Sequence, residues 1–180
     1  IGVRLVGSEM CIRDRNDNII ILGETKGHLC QSIYAYEIFG DIRGLPPKVD
    51  LLMEKKIGDT VRNLIKKIKI DTVHDISDGG LLVALTEMSI AGNIGFNIDI
   101  KEDSLDNGFL FGEDQGRYII LVEDKNLSNV IEYIKKNNIC HLIIGKSCGK
   151  KIKIGKNNEV DIEEIRDLYE NWFENYLKVD

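Results

Sequence analysis

The stretch His74-Asp75-Ile76-Ser77-Asp78-Gly79-Gly80 decides how the rest of the chain is read. An apolar strand end leads into two carboxylates and a hydroxyl. A glycine pair then opens a helix whose apolar positions Leu81, Leu82, Ala84, Leu85, Met88 and Ile90 run toward Gly92. The unit is strand, turn, helix. Glycines at such a turn let backbone N–H groups approach an anion, and a helix N-terminus adds favourable potential for phosphate. Asp75 and Asp78 have a different use, accepting hydrogen bonds from backbone N–H groups or from ribose hydroxyls, and two acids so close together oppose a bare phosphate. A structural reading stands beside these: Ser77 or Asp78 caps the helix, and the glycines permit tight packing on the sheet.

Outward from this unit the pattern stays orderly. Ile19 to Leu22 form a continuous apolar run stopped by Gly23, as in a strand buried on both faces. Leu29, Ile33, Tyr36 and Phe39 recur at helical spacings, and Gly40 closes the segment as a C-terminal stop. Gly44 and Pro46-Pro47 make an extended connection. A second helix follows, with Leu51, Leu52, Ile57, Val61, Leu64, Ile65 and Ile68 on its apolar face. Beyond the motif helix, Phe96, Ile98 and Ile100 alternate with polar residues as in a half-buried strand, and Tyr118 to Val122 read as another. Asn126 to Lys136 is a helix with Leu127, Val130, Ile131 and Ile134 inward. Leu142 to Ile144 and Lys151 to Ile154 are late strands. Asp161 caps a last helix whose buried face is Ile165, Leu168, Tyr169, Trp172, Phe173 and Tyr176. The order is strand, helix, helix, strand, helix, strand, strand, helix, strand, strand, helix, without repeats. The expected fold class is α/β (α+β), helices packed on a mixed β-sheet.

Composition narrows the function classes. A hydrophobic fraction of 43%, a charged fraction of 30% and no apolar run near the ~20 residues of a membrane span describe a globular chain without a membrane partner. The net charge of −6 and scattered lysines give nucleic-acid binding no support. Cys11, Cys30, Cys140 and Cys148 lack CxxC spacing, which suits a reducing cytoplasm better than a disulfide framework or zinc site, and Cys140 is expected to be a buried thiol. His74 has no ligand partner at metal spacing and reads as a strand-end residue holding its own turn; no metal site is expected.

Residues 1–15 show neither period and mix charges with isolated apolar residues. Val6 to Arg15 looks like translated adapter sequence, so 1–15 reads as a non-native leader and 16–180 as one domain.

The run from His74 to Met88 resembles the signature of the C-terminal domain in the large subunit of phosphoribosylformylglycinamidine synthases, within the aminoimidazole ribonucleotide synthase superfamily. Supporting segments lie in the same order: Leu22 to Thr25 with Gly27 to Ser32 as an entry segment, Gly44-Leu45-Pro46-Pro47 as a proline turn, and Leu110 to Tyr118, which contains Glu113-Asp114-Gln115-Gly116-Arg117. Cys30 departs from the pattern by standing where glycine is commoner. The resemblance implies an ATP-dependent carbon–nitrogen ligase of purine biosynthesis. ATP activates the amide oxygen of formylglycinamide ribonucleotide, and glutamine-derived ammonia displaces phosphate.

It also implies Mg2+, a cytoplasmic location, and as partners the N-terminal domains of the same chain, a glutaminase subunit and a small accessory subunit. ATP and Mg2+ are then held mainly by domains absent from this stretch, which is expected to be inactive alone. The parent is expected to be the short type that recruits a separate glutaminase, because the chain stops near its last helix.

Nucleotide or substrate contacts implied here are Asp75, Ser77, Asp78, Gly79, Gly80, Glu113, Asp114 and Gln115, with no catalytic residue. The last three correspond by pseudo-symmetry to a substrate-contacting segment of the first C-terminal domain. A structural alternative makes Glu113 and Asp114 a solvated turn with Arg117 paired to one of them. Other superfamily members, such as selenophosphate synthetase, thiamine-phosphate kinase or the hydrogenase maturation factor, are an alternative, as is a structural domain holding an auxiliary nucleotide.

Overall fold

A computed structural model describes Ile12, residues 16–40 and residues 43–177. The elements are β1 (Asn18–Leu22), α1 (Ile33–Phe39), α2 (Leu51–Asn63) continued by a π-helical turn at Leu64–Ile68, and β2 (Val73–Ile76). Then come α3 (Gly80–Gly92), β3 (Phe96–Ile98), α4 (Asn107–Phe111), β4 (Arg117–Val122) and α5 (Asp124–Lys136). The chain continues through β5 (His141–Ser147), β6 (Lys151–Ile154), β7 (Asn158–Asp161) and α6 (Ile162–Leu177). Seven strands form one sheet in the order β2-β4-β1-β5-β3-β6-β7. Among the described residues only the β3–β6 pairing is parallel, so the sheet is mixed. The α+β expectation matches this architecture.

The apolar run at 19–22 works as its composition demands. Successive side chains of a strand point to opposite faces. Ile19 and Ile21 therefore enter the core beneath α3 with Leu81, Leu85, Met88, Phe96 and Ile119. Ile20 and Leu22 enter the core beneath α2 and α5 with Ile57, Val61, Leu64, Val130 and Ile134. Each isoleucine of this run is at least 98% buried, worth about 1.5–3 kcal/mol apiece in transfer free energy. The register of β1 against β5 shifts between Ile19 and Ile20, where Ile144 is the extra residue and points into the α3-side core.

Several expectations need correction. The elements α4 and β7 are absent from the sequence reading, because five- and four-residue elements carry too little periodicity to register. The helix read up to Gly40 is present as α1, and none of its residues is buried: Tyr36 and Phe39 are 59% and 70% exposed. Leu51 and Leu52 project from the first turn of α2, although Ile57, Val61 and Leu64 are buried as expected. Of the apolar face expected for α6, Ile165 is partly buried beside the buried Ile162, while Leu168, Tyr169, Trp172, Phe173 and Tyr176 are exposed. Apolar period reports an amphipathic helix, not what covers it. Cys140 is exposed rather than a buried thiol, with Cys30 exposed and Cys148 half-buried.

Most of the stretch read as a leader lies outside the described residues. Ile12 does not: it is fully buried in the α3-side core, and its N–H reaches the Met88 carbonyl at 3.4 Å. The alanine methyl of a Gly92→Ala change would sit 2.0 Å from the Ile12 carbonyl oxygen, so this residue fills a place against α3. No helix among the described residues is long and apolar enough to cross a membrane.

Candidate functional site

The motif is divided between β2 and the turn before α3. His74, Asp75 and Ile76 are strand residues paired with Ile119, Tyr118 and Arg117 of β4. Strand alternation buries His74 and Ile76 and leaves Asp75 exposed. The His74 Nδ1 contacts the Asp75 carbonyl oxygen, and its two ring nitrogens lie 3.8 Å from the Asp75 and Glu87 carboxylates. The ring is thus fixed within its own turn.

Neither Ser77 nor Asp78 caps α3. Both side chains are exposed, and Gly79 is the N-cap, in the left-handed region at φ 76°. The Gly80 N–H donates to the Ser77 carbonyl at 3.1 Å. Gly79 donates its N–H at 2.8 Å to the side chain of Glu113. The favourable place for an anion at this helix end is therefore filled by a carboxylate of the chain itself. Gly80 is required by crowding as well as by φ 73°: a Cβ there would lie 2.6 Å from the Phe111 carbonyl carbon and 2.7 Å from the Gly112 oxygen. The glycine pair brings α3 against α4.

Glu113 does more than close that turn. The same Oε1 accepts the N–H of Ile33 at 2.9 Å, at the start of α1, and the Glu113 N–H donates to the His28 carbonyl at 2.9 Å. Asp114 is buried, and its Oδ2 accepts the N–H groups of Lys26 and Gly27, both at 2.9 Å. These two adjacent acids fasten the entry segment 24–33 to the sheet. Carboxylates accepting backbone N–H groups make hydrogen bonds roughly twice as strong as neutral ones.

Arg117, 1% exposed, completes the arrangement by donating to the carbonyls of Asp114 (3.2 Å) and Gly112 and to the Thr25 hydroxyl (3.2 Å). Burial pulls its guanidinium below the ordinary value, and the Asp114 carboxylate opposes that shift. The solvated-turn expectation for Glu113 and Asp114 is overturned: both acids are turned toward backbone donors. Sequence reasoning missed the buried Arg117. Its signal was a lone arginine at the head of the apolar run Tyr118 to Val122, which a strand inside a sheet cannot leave in water.

The entry segment also packs on the proline turn. The His28 ring nitrogen donates to the Leu45 carbonyl at 2.9 Å, and Gln31 donates to the Gly44 carbonyl at 2.7 Å. Cys30 lies over Gly44, where an added Cβ would come within 2.8 Å of its sulfur. The departure at Cys30 is accommodated because its neighbour has no side chain.

Between the entry segment and the first turns of α2 lies a cleft of about 520 Å³, floored by Asp114, Gln115 and Gly116 and walled by Lys26, His28, Lys48 and Glu54. Gln115 is exposed there. Of the residues expected to contact a ligand, only Asp114 and Gln115 line this cleft; Asp75, Ser77, Asp78, Gly79 and Gly80 do not. A cleft this size, with amide, ammonium and imidazole groups at its rim, suits recognition of a polar ligand. Among the described residues no three His, Cys, Asp or Glu side chains cluster to hold a metal, and the oxygens of Glu113 and Asp114 that face inward are committed to backbone N–H groups. These residues do not fit a magnesium site.

Comparison with known proteins now gives the arrangement a family. The sequence pattern described as "AIR synthase related protein, C-terminal domain" matches residues 15–156. The chain belongs to that family. This AIR synthase related domain is 40% identical over 169 residues to the PurL subunit of phosphoribosylformylglycinamidine synthase from Rhodopseudomonas palustris, a match covering 93% of the chain and 23% of the relative. The PurL subunit from a Chelativorans species is 40% identical over 155 residues, covering 84% and 21%. The domain thus spans about a quarter of the length of these curated relatives.

The fold is shared with Thermotoga maritima PurL complexed with FGAR, at a TM-score of 0.67 and 16% identity over 87% of this chain and 29% of that one. It is also shared with the hydrogenase maturation protein HypE in complex with ATP, at a TM-score of 0.56 and 14% identity over 87% and 52%. At these identities the likeness concerns the fold.

Proposed function

We propose that this domain is part of a PurL-type subunit of phosphoribosylformylglycinamidine synthase and serves ATP-dependent amidine formation as the C-terminal portion of a longer chain. The observation that carries this reading is the 40% identity sustained over 93% of the chain with PurL subunits. The reaction assigned to the whole enzyme transfers the γ-phosphoryl group of ATP to the amide oxygen of formylglycinamide ribonucleotide. Ammonia then adds to the activated carbon, and phosphate leaves with the former amide oxygen. Positioning and charge stabilisation dominate such transfers.

The role we assign to this domain is positioning rather than bond making. Glu113, Asp114 and Arg117 hold the entry segment so that it forms one wall of the cleft, and Gln115 presents an amide from its floor. Asp75, Ser77 and Asp78 offer exposed polar groups to whatever lies against the α3 turn. Magnesium, ammonia delivery, and the glutaminase and accessory partners belong in this reading to parts of the enzyme outside the chain, in the cytoplasm, and the isolated domain is inactive. Support for a multi-part enzyme comes from the shared fold of PurLQS from Thermotoga maritima, at a TM-score of 0.64.

The coding sequence upstream of Asn16 tests the reading. Two N-terminal-type domains of the same superfamily are expected there. A single such domain, or none, contradicts it.

A further inference from the structure

Six apolar side chains of α6, namely Leu168, Tyr169, Trp172, Phe173, Tyr176 and Leu177, are each between 55% and 70% exposed. They prolong at helical spacing the face that begins with Ile162, fully buried, and Ile165, packed on the α3-side core. The helix is anchored at its start: the Ile162 N–H donates to the Lys150 carbonyl at 3.0 Å and Arg166 to the Ile90 carbonyl at 3.1 Å. Beyond that first stretch, the face that serves as core becomes surface. Trp172 and Phe173 meet edge to face with ring centres 5.6 Å apart, so two aromatic rings stand together in the exposed part. Contiguous aromatic patches of this kind mark contact surfaces.

The occupant is constrained by charge and by length. Within Ile162–Leu177 the acids Glu163, Glu164, Asp167, Glu170 and Glu174 fall on the side of the helix away from the stripe, so the stripe itself is uncharged apart from Arg166 at its edge. An anionic lipid surface is disfavoured by a helix that carries five acids and one cation. The curated relatives are about four times as long as the stretch they share with this chain.

We propose that the α6 stripe, which continues the core face of Ile162 and Ile165, docks an apolar groove on an element of the same polypeptide lying outside this chain. The inference rests on the reading that the domain is part of a PurL-length protein.

Hydroxyl-radical labelling of the purified full-length protein tests it. Trp172 and Tyr176 are expected to react about tenfold more slowly than in the urea-unfolded protein, independently of protein concentration. Reaction near the unfolded rate overturns the proposal. Protection that rises with concentration alongside a dimer, or that appears only on adding a separate subunit or anionic vesicles, overturns it too. In Trp172→Asp protein, Tyr176 is expected to become reactive while the β1 amides keep their exchange protection; continued protection of Tyr176 counts against the proposal. An upstream coding sequence without further domains removes the PurL reading itself, whereas an intact full-length protein with a reactive Trp172 removes only the docking.

Discussion

The Gly79 N–H and the Glu113 carboxylate, 34 residues apart in sequence, form a hydrogen bond of 2.8 Å that closes the N-terminus of α3. The same oxygen holds the Ile33 N–H at 2.9 Å. Glu113→Ala leaves two helix-start donors without that acceptor and is expected to cost about 1–3 kcal/mol. Glu113→Gln keeps an acceptor oxygen and is expected to cost less than the alanine change. Urea unfolding of both variants checks the order, and hydrogen exchange is expected to quicken at Ile33 and Gly79 ahead of the β1 amides. Equal stability of the wild type and the alanine variant would remove the clamp.

Gly80 and Gly149 separate crowding from backbone strain. Both have positive φ, 73° and 61°, but a Cβ at Gly149 meets nothing within 4 Å, whereas at Gly80 it meets the Phe111 and Gly112 backbone. Gly149→Ala is expected to cost about 1 kcal/mol, the left-handed penalty alone. Gly80→Ala is expected to cost about 3 kcal/mol or more, because backbone must move. Thermal unfolding of the pair decides whether α3 and α4 pack as closely as described.

Cys30 and Gly44 are expected to be coupled. Gly44→Ala collides with the Cys30 side chain at 2.7–2.8 Å and also strains a backbone at φ 111°. In a Cys30→Gly background the collision disappears and only the strain remains. A double-mutant cycle is expected to give a coupling of about 0.5–3 kcal/mol, with the double variant more stable than additivity predicts. Strict additivity would place the entry segment away from the proline turn.

The β6–β7 hairpin carries a pH-dependent ion cluster in which Glu159 lies 2.6 Å from the Lys151 ammonium and 3.2 Å from that of Lys153. Hydrogen bonds from Lys151 and then Lys153 lower the Glu159 carboxyl below its ordinary 4.5, and the hydrogen bond to Glu159 raises Lys151 above 10.5. The carboxylate contribution is present above 4.5 and is lost as pH falls through the lowered folded value. The ammonium contribution is present below 10.5 and is lost as pH rises through the raised one. Both act between those limits, and salt weakens them because the groups are exposed. NMR titration is expected to find Glu159 below 4.5 in the folded chain; titration at or above that value would dissolve the cluster.

The parts of this domain that were legible in sequence are those in which composition has one physical outcome. Four apolar residues in a row at Ile19–Leu22 have to lie between two layers, and they do. The Asp-Gly-Gly turn opens a helix as its chemistry requires. What stayed hidden depends on distant partners. Nothing local to Gly79 says that the anion it holds is Glu113, and nothing local to Asp114 says that it faces Lys26 and Gly27 rather than a ligand. The face of α6 was misread for a related reason, since the apolar period of Trp172 and Phe173 is the same whether the cover comes from this domain or from elsewhere.

The central claim is tested most directly by assaying the purified full-length protein with formylglycinamide ribonucleotide, ATP, Mg2+ and ammonia, following amidine formation and phosphate release together. The account predicts one phosphate released per amidine formed, with none released above background when either the ribonucleotide or ammonia is left out. Ammonia-independent phosphate release, or turnover only with the substrate of another AIR synthase related enzyme, would contradict it.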